Sequence, residues 1–254
     1  MKLAFALLAS ALTASALAPM ASAQQSTPAA PATNPTSTST AGQPSQDLPD
    51  GPQPTAAALI RPNGPTVVMD TSMGRITCQF YQRQAPNGVA NFIALANGTK
   101  DWTDPVTSKK QRNKRYYDGT TFHRVIPEFM IQGGDPAGTG MGDPGYTFND
   151  EFDPNLNFDV PGRLAYANSG PNTNGGQFFI TEQAYDSLNQ HYTIFGQCDE
   201  SSVLVVKTIA RVERDGRDKP LEAVVLKKVT IVPEGQPLPP KPAPAPGAPS
   251  ASRQ

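Results

Sequence analysis

Between residues 75 and 81 apolar and polar side chains alternate. Residues 65–70 read as a short strand, residues 71–74 as a turn and residues 75–81 as the returning strand, in which Ile76, Cys78 and Phe80 alternate with Arg75, Thr77 and Gln79. A period of two belongs to a strand with one buried face, so a hairpin opens the domain. The period then changes. Val89, Phe92, Ile93 and Ala96 recur at i, i+3, i+4 and i+7 behind Pro86, and Asn97 and Gly98 close the run with residue types that tolerate left-handed backbone. This predicts a helix of about three turns with one apolar face. A second helix is predicted over residues 202–211, with Val203, Val206 and Ala210 on one side and Ser201 or Ser202 as its N-cap. Between the helices, short apolar runs are separated by Gly, Pro, Asn and Asp, and a strand over residues 223–232 ends the pattern. Many short strands with only two helices point to a β-barrel or sandwich and away from an alternating α/β fold.

Composition confines this domain to residues 66–232. Nine of the 27 prolines fall in residues 24–65 and eight in residues 233–254, where most other positions are Ala, Ser, Thr, Gln and Gly. Such stretches have too little apolar surface to offset the entropy of ordering, so both flanks are expected to be disordered or extended; they could also serve as tethers. Residues 1–23 have the layout of a secretory signal: Lys2, an uncharged run over residues 3–20, and Ala21, Ser22 and Ala23 as the cleavage pattern. Cleavage, rather than retention as an anchor, is expected to leave an exported, soluble, monomeric chain without a transmembrane segment. A periplasm is the first destination to consider and secretion the second.

Charge and the rarer side chains remove other classes. There are 21 Lys and Arg against 22 Asp and Glu, a formal net charge of −1, which gives no support to bulk binding of nucleic acid. Lys109, Lys110, Arg112, Lys114 and Arg115 form a basic run, read here as a solvated loop rather than a contact for an anionic surface. The only histidines, His123 and His191, are too few for a multi-His metal site, so neither metal nor cofactor is expected. Cys78 and Cys198 are too far apart for a CxxC motif. In an oxidising compartment they could form one disulfide; the alternative is two buried thiols.

Candidate chemistry is concentrated in two segments. Residues 117–134 hold a permanent cation, Arg124, close to Phe129, Met130 and the amide Gln132. Residues 164–181 are rich in turn formers and end in Gln177, Phe178, Phe179 and Ile180. The stretch 122–134 (aromatic, His, Arg, two aliphatics, a spacer, then Phe, aliphatic, aliphatic, Gln, Gly) resembles the signature of the cyclophilin family of peptidyl-prolyl cis–trans isomerases. Ala167 and Asn168, followed by Thr173, Asn174 and Gly175 and then Gln177, Phe178 and Phe179, are similar to its second signature. The resemblance extends from the opening hairpin to the closing strand and covers neither flank.

That resemblance implies a closed, eight-stranded antiparallel β-barrel capped by two α-helices, with Arg124 as the catalytic residue. It places the proline pocket at Phe129, Met130, Phe179 and Leu188 with His123 close by, and the contacts to the substrate backbone at Gln132, Asn168 and Gln177 beside Ala167. Tyr192 falls where the family has His or Tyr, which leaves His191 without a role. Ser187 stands where the family carries its cyclosporin-contacting tryptophan, so tight cyclosporin binding is not expected.

The chemistry suits these residue types. Amide resonance sets a rotational barrier of about 18–20 kcal/mol, and lowering it needs no nucleophile, proton shuttle or metal. It needs a site that favours the twisted amide, whose nitrogen regains a lone pair that can accept a hydrogen bond. An always-charged guanidinium with several fixed donors meets that need. The implied function is isomerisation of Xaa-Pro bonds in unfolded or proline-containing polypeptides. The rival reading is a proline-recognising chaperone or binding module with incidental turnover.

Overall fold

The computed structural model describes residues 60–242. The expected signal over residues 1–23, most of the 24–65 flank and the last part of the 233–254 flank lie outside the described residues. The elements, in chain order, are β1 (Thr66–Thr71), β2 (Gly74–Phe80), α1 (Pro86–Asn97), β3 (Trp102–Thr103), β4 (Lys110–Gln111), β5 (Arg124–Ile126), β6 (Met130–Gly133), β7 (Arg163–Tyr166), β8 (Phe178–Thr181), β9 (Ile194–Cys198), α2 (Glu200–Ala210) and β10 (Leu226–Val232). Eight strands form one antiparallel sheet in the order β10-β1-β2-β9-β7-β8-β6-β5, and β3 and β4 form a separate hairpin.

The ladder does not close into a complete barrel. Strands β10 and β5 are the two edges, and they do not pair. The chain just before each edge strand bridges the seam instead. Thr121 pairs with Val225, the Leu226 N–H donates to the Thr120 carbonyl at 2.8 Å, and the Phe122 N–H donates to the Val224 carbonyl at 3.0 Å. The last strand is accordingly shorter than the apolar run over residues 223–232 suggests, because its first residues serve the seam.

The predicted hairpin is present, with Thr71 opposite Gly74 at its turn. Val67 and Met69 from β1 and Ile76, Cys78 and Phe80 from β2 point into one core. The apolar face of α1 lies on that core, where the Phe92 ring meets Tyr117 at 4.5 Å, Phe195 at 5.4 Å and Phe178 at 5.7 Å. Val206, Ile209 and Ala210 of α2 complete it.

The two helices begin differently from one another. Pro86 needs no partner for its missing N–H, and no side chain of Ala85 caps α1. The carboxylate of Glu151, distant in sequence, takes over: it accepts the Asn87 N–H at 3.0 Å and the Gly88 N–H at 2.8 Å. At the other end Gly98 adopts φ 73°, the left-handed cap expected of it. Glu151→Ala is expected to lower stability by about 1–2 kcal/mol, the worth of a charged N-cap, and to lower the thermal midpoint by about 2–8 °C in a scan of the intact chain.

The cap of α2 differs from the expectation. Asp199, not Ser201 or Ser202, is the N-cap, and its carboxylate accepts the Ser202 N–H at 2.7 Å. Ser202 is buried three positions into the helix, and its hydroxyl accepts the Thr77 N–H of β2 at 2.7 Å. A tertiary hydrogen bond thus claims the serine, and Asp199, in extended backbone, is left to cap.

The described fold also runs past both composition boundaries. The N–H groups of Asn63 and Gly64 each donate to the Phe80 carbonyl at 3.0 Å. Beyond β10, Arg75 donates to the carbonyls of Pro239 and Pro240 while paired with Asp70 at 2.7 Å. The basic run is mostly exposed, with Arg112 beside Asp101 and Arg115 beside Asp118. Trp102, buried beneath it, donates its indole N–H to the Lys114 carbonyl at 2.9 Å.

Candidate active site

Strand register assembles the site. Arg124 in β5 lies opposite Gln132 in β6, Gln132 lies opposite Phe179 in β8, and Phe179 lies opposite Ala165 in β7. Directly opposed residues share a face of a sheet, so these four side chains form a row across four strands. The neighbouring row, Val125, Ile131, Ile180 and Leu164, is paired in the same way and belongs to the main core. One face of this part of the sheet therefore packs the barrel, and the other carries the candidate chemistry.

A second apolar cluster covers that outer face. Met130 and Phe179 are buried in it together with Phe158, Leu156 and Ile194, while Phe129, Ala167, Leu188 and Tyr192 are only partly buried against them. Phe179 stacks on Phe158 at 5.8 Å and meets Tyr192 edge-on at 5.3 Å. The result is an apolar floor of Met130 and Phe179 with partly exposed walls. Beside it lies an open cavity of about 330 Å³, lined by Gln132, Gly140, Gly142, Ala167, Asn168 and Gln177 among others.

Arg124 is exposed, and among the described residues it has no carboxylate partner. Its one side-chain hydrogen bond among the described residues is donation from Nη1 to Gln132 Oε1 at 3.4 Å. Gln132 Nε2 donates to Gln177 Oε1 at 3.0 Å, and Gln177 Nε2 donates to the carbonyls of Gly140 at 3.0 Å and Gly142 at 2.8 Å. Asn168 donates its amide to the His191 carbonyl at 2.9 Å, so His191 contributes backbone at this point while its ring Nδ1 lies 2.7 Å from the Asn189 carbonyl. Ser187 is exposed in the short helical turn that also carries Leu188.

The remaining resemblance-derived residue sits apart. His123 is only 6% exposed, and neither ring nitrogen has a partner among the described residues. Burial pushes its pKa down, which disfavours the charged form of the ring. A Cβ added to Gly140 would lie 3.4 Å from this ring, so His123 backs the loop that lines the cavity.

Two supporting groups carry no motif. Asp135 is fully buried, and its carboxylate accepts the N–H groups of Ala137, Thr139, Gly140 and Gly142. Burial pushes its pKa up, but these four donors outweigh that and hold the carboxyl below its usual range. Glu182 braces the β5–β6 turn: its own N–H donates to the Phe129 carbonyl at 2.8 Å, and its carboxylate accepts the Glu128 N–H at 2.8 Å and pairs with Arg211 at 2.8 Å.

Among the described residues no group of three or more His, Cys, Asp or Glu is placed to hold a metal, and no helix is long and apolar enough to cross a membrane. A profile of the family described as cyclophilin type peptidyl-prolyl cis-trans isomerase/CLD matches residues 66–231. The chain belongs to this family. It is 49% identical over 167 residues to peptidyl-prolyl cis-trans isomerase A of Mycobacterium tuberculosis strain H37Rv, covering 65% of this chain and 91% of that protein. Identity to peptidyl-prolyl cis-trans isomerase B of Streptomyces anulatus is 47% over 165 residues, covering 64% and 94%. The crystal structure of a cyclophilin type isomerase from Cryptosporidium parvum is similar with a TM-score of 0.57 at 35% identity, over 66% of this chain and 98% of that one. A structure of the same protein in the presence of the dipeptide Ala-Pro gives 0.56 at 34% identity, over 68% and 100%. The chain is accordingly a peptidyl-prolyl cis–trans isomerase with a cyclophilin-like fold.

In this cyclophilin, Glu182 holds by two hydrogen bonds the turn on which Phe129 sits. Glu182→Ala keeps the main-chain bond to Phe129 and removes the carboxylate that accepts the Glu128 N–H; with Phe129 as a wall of the expected proline pocket, KM is expected to rise about fivefold with little change in kcat. Burial pushes the Glu182 pKa up, but Arg211 and the Glu128 N–H more than reverse this and hold it below the usual range. Its contribution to stability is therefore complete above the ordinary Glu pKa and is lost as pH falls through the lowered folded-state value. A pH series of thermal midpoints for wild type and variant, converging at low pH, checks the sign.

Proposed function

We propose that this chain is an exported isomerase that accelerates Xaa-Pro isomerisation in unfolded polypeptides outside the cytoplasm, and that it does so without covalent chemistry. The signal-like pattern of residues 1–23 supports export, with a periplasm as the destination. The row of Arg124, Gln132 and Phe179 across three paired strands carries the mechanism. It sets an uncompensated guanidinium beside an apolar floor on one face of a rigid sheet. That the related Cryptosporidium protein was studied in the presence of Ala-Pro supports a proline-containing peptide as the occupant.

The proline ring enters the pocket of Phe129, Met130, Phe179 and Leu188, while Asn168 and Gln177 engage the flanking backbone. The acyl side then rotates. As conjugation is lost, the prolyl nitrogen gains a lone pair, and Arg124 donates to it. Peptide covering the site removes water from the guanidinium, which strengthens that contact where charge develops. At the cyclosporin-contacting position Ser187 supplies no indole, so weak binding of that drug is part of the proposal.

Exchange spectroscopy of an Ala-Pro peptide with catalytic amounts of the chain tests this reading. Faster cis–trans exchange, together with a mature N-terminus at Gln24 in a periplasmic fraction, is the expected result. A folded chain that binds the peptide without accelerating exchange would make the site a binding module.

A further inference from the structure

The carboxylate of Asp135 is a costly group to keep. It is fully buried, and among the described residues no Lys, Arg or His pairs with it, so its charge is met by hydrogen bonds alone. Oδ1 accepts the Ala137 N–H at 2.7 Å. Oδ2 accepts the N–H groups of Thr139 at 2.9 Å, Gly140 at 2.7 Å and Gly142 at 3.2 Å, and the Thr139 hydroxyl at 3.2 Å. The loop is built around this carboxylate. Gly138 and Gly140 take φ values of 64° and 81°, and a Cβ on Gly142 would fall 1.9 Å from Asp135 Oδ1.

The winding fixes the carbonyls of Gly140 and Gly142, and both accept from Gln177 Nε2. Only the nitrogen of that amide can face two carbonyl oxygens, so its oxygen must face Gln132. Gln132 then has to offer its own nitrogen to Gln177, which leaves its oxygen towards Arg124. If Gln177 turned over, Gln132 would turn with it and present an NH₂ group to a guanidinium that is itself only a donor.

We propose that Asp135 is a positioning residue for the isomerase reaction: by closing the 135–142 loop it orients Gln177 and Gln132, and through them the donors of Arg124. This rests on the proposed role of Arg124. Asp135 is buried away from the open face, and its effect reaches Gln132 and Arg124 only through Gln177.

The experiment is a double-mutant cycle on the full chain, with kcat and KM read for an Ala-Pro peptide and folding followed by circular dichroism. Asp135→Asn is expected to lower kcat about tenfold and to leave KM within about twofold, because misdirected donors weaken the transition state more than the bound peptide. In a Gln177→Ala background the same change is expected to cost less than about twofold more. Thr139→Val, which removes one hydroxyl contact from Asp135, is the milder variant should Asp135→Asn not fold. Its expected loss is about threefold in kcat, again absent without Gln177. Wild-type kcat in the folded variants, or an equal loss with and without Gln177, overturns the proposal. Arg124→Ala in the same assay separates the two readings. If it abolishes acceleration while the Asp135 and Thr139 variants do not, the positioning role fails alone; if it has no effect, the mechanism fails too.

Discussion

Arg124→Ala is expected to lower kcat/KM for an Ala-Pro peptide by about 10²–10³-fold, the loss found when one preorganised donor to a developing charge is removed. In the proposed mechanism the loss falls on kcat, because a planar amide has little lone pair to offer and the guanidinium would gain its partner only as the bond twists. KM should move much less, since the proposed pocket of Phe129, Met130, Phe179 and Leu188 remains. Stability should hardly change: Arg124 is exposed, and among the described residues its one side-chain hydrogen bond is the 3.4 Å donation to Gln132. Arg124→Lys tests charge against geometry. A point charge on a flexible stem keeps the field but loses the planar set of donors, so it should recover only a small part of the loss. Full activity in Arg124→Lys would make the contribution a field effect, and full activity in Arg124→Ala would remove the arginine from the mechanism.

Local pattern carried some of this architecture and failed where long-range contacts decide. The opening hairpin and α1 were legible because each signal is complete within a few residues: alternation across Ile76, Cys78 and Phe80 in one, and Pro86, a 3.6-residue stripe and Gly98 in the other. The cap of α2 was not. Asp199, Ser201 and Ser202 are all chemically suitable, and the choice is made by the Thr77 N–H of β2, which occupies the Ser202 hydroxyl. The open seam was hidden for a similar reason. Val224 and Val225 look like strand, yet their partners are Phe122 and Thr121, in a segment that shows no alternation.

At the site, the two motifs name Arg124, Gln132, Gln177 and Phe179 but contain no register. That three of them share one face follows from the pairing of β5, β6 and β8. His123, adjacent to Arg124 in sequence, lies just before β5 and is buried against Gly140, on the side opposite to its exposed neighbour. Asp135 and Glu182 were invisible as functional positions. The available sign was a carboxylate ahead of the glycines at 138, 140 and 142, and glycines mark a turn without saying what it encloses.

Reduction of the bond between Cys78 and Cys198 is expected to destabilise the folded domain by about 2–5 kcal/mol. The two residues are directly opposed in β2 and β9 and are joined by a disulfide across a sequence separation of 120. In the chain-entropy account, opening a loop of that size frees the unfolded state by more than 4 kcal/mol, with smaller values common in practice. For a domain of this length such a loss corresponds to a fall in thermal midpoint of about 4–20 °C. Activity below the transition should survive. Both cysteines belong to the main core, on the other side of the sheet from the Met130 and Phe179 pocket, and as thiols they remain small apolar side chains. Urea unfolding of the oxidised and reduced chain, each followed by isomerase assay in dilute urea, separates the two effects. Coincident unfolding curves would show that the ladder and core hold β2 to β9 without the covalent bond. A reduced chain that is folded but inactive would mean that the β2–β9 connection reaches the outer face of the sheet, against the separation of the two faces seen at Val125, Ile131, Ile180 and Leu164.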